Sequence, residues 1–228
     1  MNVELPQLLA ERLAGELPGP SLAVRFEPRG TRAAGHPRAD GPLWRYYEAP
    51  PPDARPAAVL VLLYPHRRQW HLPLTLRPAH LPDHAGQISL PGGAVEPGET
   101  TGQAALREFH EELGDDGRRI DLLGQLSAVY VQASNFLVTP WVGVTGSRPE
   151  FTPNPREVQQ LLEVPLAHLL DPASFGSHRR RHQGRSYAAP HFAWQSHRIW
   201  GATCAILGEL VAVLEGLDCE ASAPSILD

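Results

Sequence analysis

Glu108, Glu111 and Glu112 lie at i, i+3 and i+4, a spacing that puts three carboxylates on one arc of a helix turning 100° per residue. Such an arc is costly. Like charges at i,i+4 repel by a few tenths of a kcal/mol, and acids near a helix C-terminus oppose its dipole. A divalent cation would reverse both penalties. Clustered carboxylate oxygens are hard ligands that favour Mg2+ or Mn2+ over zinc, and Mg2+ is commonly shared between carboxylates and the phosphates of a substrate. The same residues also fit a solvated acidic face on which Arg107 pairs with Glu111 at i+4, so the helix alone leaves both readings open.

The helix carrying these acids has its own start and stop signals. Thr100 followed by Gln103 is a capping box, and Gly114 after Leu113 suits a left-handed C-cap. A helix over residues 101–113 results, with Gly102, Ala105, Leu106, Phe109 and Leu113 as the stripe fit for burial. Residues 57–64, AAVLVLLY, read as a buried strand paired with residues 70–76 across the polar turn His66, Arg67, Arg68 and Gln69. After the helix, residues 120–131 and 136–144 each read as one strand, separated by Ala133, Ser134 and Asn135. Pro140 points to an edge position or a bulge for the second. Residues 154–164 open a strand or short helix that Pro165 stops, and residues 187–200 hold one or two strands turning at Gln195, Ser196 and His197. An apolar helix over residues 201–217 follows.

At 228 residues and 42% hydrophobic, the chain can bury one sizeable core, and one enlarged domain is expected. Residues 57–217 form its main part. Residues 1–56 are an N-terminal helix and Pro/Gly-rich lead-in packed on it, with one strand at residues 22–26, and residues 218–228 are a tail. No apolar run approaches the ~20 residues of a membrane span, and the N-terminus lacks a basic start followed by an apolar core, so a cytoplasmic protein with no membrane contact is expected. A net charge of −5 argues against a nucleic-acid coat. Cys204 and Cys219 fit neither a disulfide framework nor a metal spacing.

The full spacing decides between the two readings of the acidic helix. Gly93, Glu99, Arg107-Glu108-Phe109, Glu111-Glu112 and Gly114 resemble the signature of the Nudix hydrolase family, with Asp115 where the signature has an aliphatic residue. The resemblance implies an α/β fold, a Nudix-type α/β/α sandwich with a central mixed β-sheet. It also implies a pyrophosphohydrolase in which Glu108, Glu111 and Glu112 hold Mg2+ or Mn2+ against a diphosphate bridge that water cleaves. On the same footing Glu111 or Glu157 takes the proton from that water, and Arg107 with Glu99 orients the glutamates.

Residues 74–93 resemble the stretch that precedes the signature in the coenzyme A pyrophosphatase branch of the family. Leu74, Thr75, Arg77, Gly86, Pro91, Gly92 and Gly93 match, whereas Pro78, Pro82 and Leu90 replace a small residue, a second arginine and a phenylalanine. Residues 198–203, RIWGAT, resemble the closing segment of the same branch. These resemblances imply cleavage of coenzyme A or an acyl derivative to 3′,5′-ADP and 4′-phosphopantetheine, with Arg77, His84, Gln87, Gly92 and Gly93 touching the substrate. The alternatives are a Nudix enzyme for ADP-ribose or a dinucleotide, and an inactive Nudix domain serving as a ligand sensor; the intact glutamates speak against the sensor. His80 and His84 at i,i+4 would suit a helical zinc pair, but Pro78 and Pro82 oppose a helix there. The basic loop of residues 177–185, SHRRRHQGR, would act as an electrostatic collar for a phosphate-rich ligand. The expected partner is thus a small CoA-like nucleotide, with a homodimer left open.

Overall fold

The computed structural model describes residues 5–26, 29–30, 46–47, 49–79, 86–114, 119–182, 185–215 and 217. Its elements run α1 (Leu5–Leu13), α2 (Gly19–Phe26), β1 (Arg29–Gly30), β2 (Arg55–His66), β3 (Gln69–Leu76), β4 (Ile88–Ser89), β5 (Gly92–Ala94), α3 (Thr101–Leu113), β6 (Asp121–Gln125), β7 (Val129–Val131), β8 (Phe136–Val144), β9 (Gln160–Pro165), α4 (Leu166–Leu170), β10 (Phe175–His182), β11 (Arg185–Trp194), β12 (His197–Trp200) and α5 (Ala202–Glu215). The main sheet has the order β4-β3-β2-β8-β6, with β9 against β3, β5 against β2 and β7 against β8. β2 and β8 run parallel while their other neighbours are antiparallel, so the sheet is mixed. Beside it stands a smaller sheet in which β11 pairs with β10 on one side and with β1 and β12 on the other.

The apolar run of β2 is buried on both faces because each face meets a different helical layer. Ala58, Leu60, Leu62 and Tyr64 pack with Ala104, Ala105, Phe109 and Leu113 of α3. Ala57, Val61 and Leu63 share the opposite core with Leu9 of α1, Phe26 of α2, Leu169 of α4 and Leu207 of α5. An α/β/α sandwich with a central mixed sheet is the result, and strands buried on both sides need not alternate in polarity. Among the described residues no helix is long and apolar enough to cross a membrane.

α3 begins and ends as its sequence dictates. Thr100 accepts from the Gln103 amide at 3.3 Å and the Gln103 side chain accepts from the Thr100 amide at 2.8 Å, completing the capping box. Trp141 of β8 fastens the first turn by donating to Thr101 Oγ1 at 3.0 Å. At the other end the carbonyls a helix leaves unsatisfied are taken up: Gly114 donates to His110, Thr152 to Leu113 and Asn154 to Glu112 at 2.8–2.9 Å. Gly114 has positive φ (90°), but its ψ of 157° is not the left-handed helical cap that was expected. Leu106 is half-buried rather than buried, and its place in the buried set is taken by Ala104 and Glu112.

Other expectations are corrected. Residues 22–26 are not a strand but part of α2, which opens on a turn from Pro18 (Ser21 Oγ donates to its carbonyl at 2.7 Å) and sets Phe26 5.3 Å from Phe175 and 6.4 Å from Phe192. The strand read over residues 120–131 divides into β6 and β7. The interruption is where Ser127 turns aside to donate its amide (3.0 Å) and hydroxyl (2.7 Å) to Glu209 of α5. Pro140 is not at an edge, since β8 lies between β2 and β6, and its carbonyl accepts from Leu126 in the gap between β6 and β7. The basic residues 177–185 are not a loop: they fall in the β10–β11 hairpin, paired from Phe175↔Phe192 to His182↔Arg185. His80, His84, Pro82, Asp115 and Cys219 lie outside the described residues.

Removing the cap should loosen α3 without altering its chemistry. Thr100→Ala is expected to cost about 1 kcal/mol, a fall of roughly 2–4 °C in Tm for a chain of this size, while Thr100→Ser stays within about 1 °C. Differential scanning calorimetry of the three proteins checks this, and an unchanged Tm for the alanine variant would count against the capping box.

Candidate functional site

Glu112 is the most enclosed of the acids on α3, only 1% exposed. Its carboxylate accepts from the Gly92 amide at 3.2 Å and from the Thr75 hydroxyl at 3.4 Å. Thr75 is itself fully buried and lies 3.1 Å from Ser89 Oγ. Local sequence makes this approach possible. β5 crosses β2 in the register Ala58↔Gly93 and Val59↔Gly92, where a Cβ on Gly92 would strike the Ala58 carbonyl and one on Gly93 the Glu108 carboxylate. Burial pushes the Glu112 carboxyl up to about 7; the Gly92 bond and the charge of Arg77 oppose that rise, and Glu157 and Glu108 add to it. Glu108 is raised too, first by burial, against the hydrogen bond and charge of Arg107, with repulsion from Glu111 and Glu157.

Arg107 ties the acids together. Its guanidinium donates to Glu99 at 2.8 Å, to Glu108 at 2.9 Å, to the Ala94 carbonyl at 3.0 Å and to Glu111 at 3.4 Å. Glu99 also accepts from the Glu96 amide at 2.6 Å, which closes the loop before α3. Arg107 holds the Glu99 carboxyl below the usual carboxylate range, and Glu99 raises the guanidinium above its own. The expected arc of three carboxylates is therefore divided: Glu108 and Glu112 face the Gly92–Gly93 backbone, whereas the Glu111 side chain is 55% exposed and turned to Arg107.

Glu157 reaches this cluster from another element. The hydrogen bonds of Thr152 and Asn154 to the end of α3 pin its turn there, and Asn154 Nδ2 donates to its carboxylate at 3.1 Å. Its charge is felt at both Glu108 and Glu112. Arg77 follows β3 directly, and its buried Nε has no hydrogen-bond partner among the described residues. Gln87 is half-buried, and its carbonyl accepts from the Arg77 amide at 3.0 Å. Thr75 and Ser89 were absent from the site residues read in the sequence. The available signal was a hydroxyl in the otherwise apolar stretch LPLTL, since a buried hydroxyl calls for a partner.

Among the described residues no set of three or more His, Cys, Asp or Glu side chains stands ready-made for a metal ion. The residues nonetheless fit one. Glu112 is buried and Glu108 half-buried; burial and repulsion from neighbouring acids raise both carboxyls, a cost that a cation between them would lift. Mg2+ needs only one or two carboxylates when waters and substrate phosphates complete its shell, and an unsatisfied Arg77 beside Glu112 suits a phosphate oxygen.

Comparison with known proteins identifies a family. A family model described as NUDIX domain matches residues 54–183. The Nudix hydrolase NudL of Photorhabdus laumondii is 36% identical over 138 residues, covering 60% of this chain and 73% of its own length. NudL of Pectobacterium atrosepticum is 35% identical over 171 residues, covering 70% and 86%. Among solved structures, the Nudix hydrolase RenU of M. smegmatis has 25% identity and a TM-score of 0.44 over 52% of this chain and 74% of its own.

Glu112→Gln keeps the shape of the side chain and removes its charge. Saturating Mg2+ or Mn2+, at about 100 times its Kd, should stabilise the wild-type protein by about 2.7 kcal/mol and raise Tm by roughly 5–10 °C. The variant should lose more than half of that rise, while its metal-free Tm holds or increases as repulsion is relieved. Thermal melts with and without metal read both, and an equal metal-induced rise in the two proteins would remove Glu112 from the cation site.

Proposed function

Because the chain belongs to the Nudix hydrolase family, and is on that ground a pyrophosphohydrolase of nucleotide diphosphates, we propose that its own substrate is coenzyme A or an acyl derivative, cleaved to 3′,5′-ADP and 4′-phosphopantetheine. The observation that carries this reading is a contact between distant parts of the chain. The Thr203 hydroxyl donates to the Ile88 carbonyl at 3.2 Å, joining the two stretches, residues 74–93 and 198–203, that resemble the coenzyme A branch. They lie 115 positions apart in sequence and meet at β4, one residue from Ser89, whose partner Thr75 donates to Glu112, so both stretches are open to one ligand.

In this proposal Glu108 and Glu112 hold Mg2+ or Mn2+, with Glu111 adding charge at the rim. The chemistry the ion supplies when bound is neutralisation of the diphosphate and a lowered pKa of the attacking water. Arg77, whose Nε has no hydrogen-bond partner among the described residues, binds a phosphate oxygen and orients the bridge. Of the two candidate bases we favour Glu157: Glu111 is 55% exposed and turned to Arg107, whereas Glu157 is half-buried and its charge acts on both Glu108 and Glu112. Arg107 and Glu99 position Glu108 and do not touch the reacting phosphorus.

Product analysis by liquid chromatography after incubation with coenzyme A, ADP-ribose and diadenosine polyphosphates, each with Mg2+ or Mn2+, tests the reading. Coenzyme A should show the highest kcat/KM, and Arg77→Ala should lose about 1.5–3 kcal/mol of transition-state binding, roughly ten- to a hundredfold in kcat/KM. Preference for ADP-ribose would overturn the coenzyme A assignment and leave the pyrophosphohydrolase standing.

A further inference from the structure

A cavity of about 610 Å³ opens where the end of the β3–β4 ladder meets the β11–β12 turn. Leu76 and Ile88 form its apolar floor, and His191, Gln195, His197 and Arg198 stand around it. The floor residues pack toward the α5 core, on the sheet face away from α3. Yet the cavity and the glutamate cluster share one strand end. Thr75 pairs with Ser89 and Leu76 with Ile88, and successive residues of a strand are about 3.3 Å apart and point to opposite faces. A ligand engaged by Arg77 and Glu112 therefore has the cavity within reach around that end.

Arg198 gives the cavity a positive charge, and among the described residues no carboxylate lines it. His178 backs His191, Nδ1 to Nδ1 at 3.3 Å with ring centroids 4.8 Å apart, and Arg180 of β10 lies 3.8 Å over the ring of Trp200 of β12 in the same sheet. Burial first, and then cationic neighbours, hold both imidazoles below their usual pKa: His191, Arg198 and Arg180 act on His178, and Arg198 on His191, offset only by the Ala189 backbone. No carboxylate is among the groups acting on either ring, and among the described residues Arg198 forms no ion pair. Gathering cations and neutral imidazoles in a pocket costs free energy that an anion would recover.

The structure assigns this cavity as a subsite for a phosphate monoester that the substrate carries at a distance from its diphosphate. Arg198 and His197 are its direct partners, and His191, oriented by His178, is a third. The assignment rests on the coenzyme A reading, because coenzyme A carries such a group as its 3′-phosphate and dephospho-coenzyme A lacks only that. The apolar floor accommodates the attached nucleoside, within the 300–1,000 Å³ typical of small-molecule pockets.

Comparing kcat/KM for coenzyme A and dephospho-coenzyme A in wild-type protein and in Arg198→Gln tests it. The wild type should favour coenzyme A by about tenfold or more, and Arg198→Gln should cancel most of that preference by lowering the coenzyme A value while leaving dephospho-coenzyme A within about twofold. A second readout is independent of turnover. Imidazole 15N spectra should show His191 and His197 shifting on addition of 3′,5′-ADP but not of 5′-AMP, an effect lost in Arg198→Gln. Hydrolysis of coenzyme A with a preference that Arg198→Gln leaves unchanged would overturn the subsite and keep the substrate. Absence of coenzyme A hydrolysis with the 3′,5′-ADP shifts present would overturn the substrate and keep the subsite, and absence of those shifts would overturn the subsite outright.

Discussion

A carboxylate with 1% exposure, held by one backbone amide and one hydroxyl, is expensive to bury and strains everything around it. Three segments are built to accept Glu112. β3 supplies the hydroxyl of Thr75, the paired glycines of β5 bring a bare backbone up to the acids, and α3 is docked so that Ala104, Ala105, Phe109 and Leu113 fill the core on the same side as the acid. A side chain at Gly92 would strike the Ala58 carbonyl of β2, and one at Gly93 would displace the Glu108 carboxylate. The burial that raises Glu112 is thus a consequence of packing that also fixes where the acid points.

Arg107 solves the complementary problem on the exposed side. One guanidinium reaches Glu99, Glu108, Glu111 and the Ala94 carbonyl, so the loop before α3, the helix itself and β5 are tied through a single planar donor. The far end of the helix is tied differently, through the amides of Thr152 and Asn154. Those bonds bring Glu157 to the cluster from a part of the chain remote from the helix. The acids thus come from two elements, and the fold rather than local sequence sets their separation.

What could be read in the sequence was what is local. The bounds of α3 come from a capping box and a terminal glycine a few residues from what they control, and the apolar run of β2 announces a strand buried on both faces. Residues 22–26 misled because their apolar content suits a strand equally well; the turn at Pro18 and the packing of Phe26 on Phe175 and Phe192 decide for helix. The break between β6 and β7 was invisible because it depends on Glu209, a carboxylate hidden within an apolar helix and 82 positions from Ser127. In the site, the signature picked out the three acids of α3 but not that Glu111 faces solvent, since the helical arc is shared until β5 and Arg107 divide it. The cavity beside β4 was beyond reach for the same reason, because its floor at Leu76 and Ile88 and its cation at Arg198 lie more than a hundred positions apart.

The central claim is that Glu108 and Glu112 are spaced to share a divalent cation with a bound diphosphate. Anomalous diffraction from crystals soaked in Mn2+ with a non-hydrolysable diphosphate analogue tests it most directly. A peak about 2.1 Å from carboxylate oxygens of both residues, with an analogue oxygen completing the shell, is the predicted result. A peak only at exposed surface acids, with Glu112 still bound to Gly92 and Thr75 alone, would contradict it.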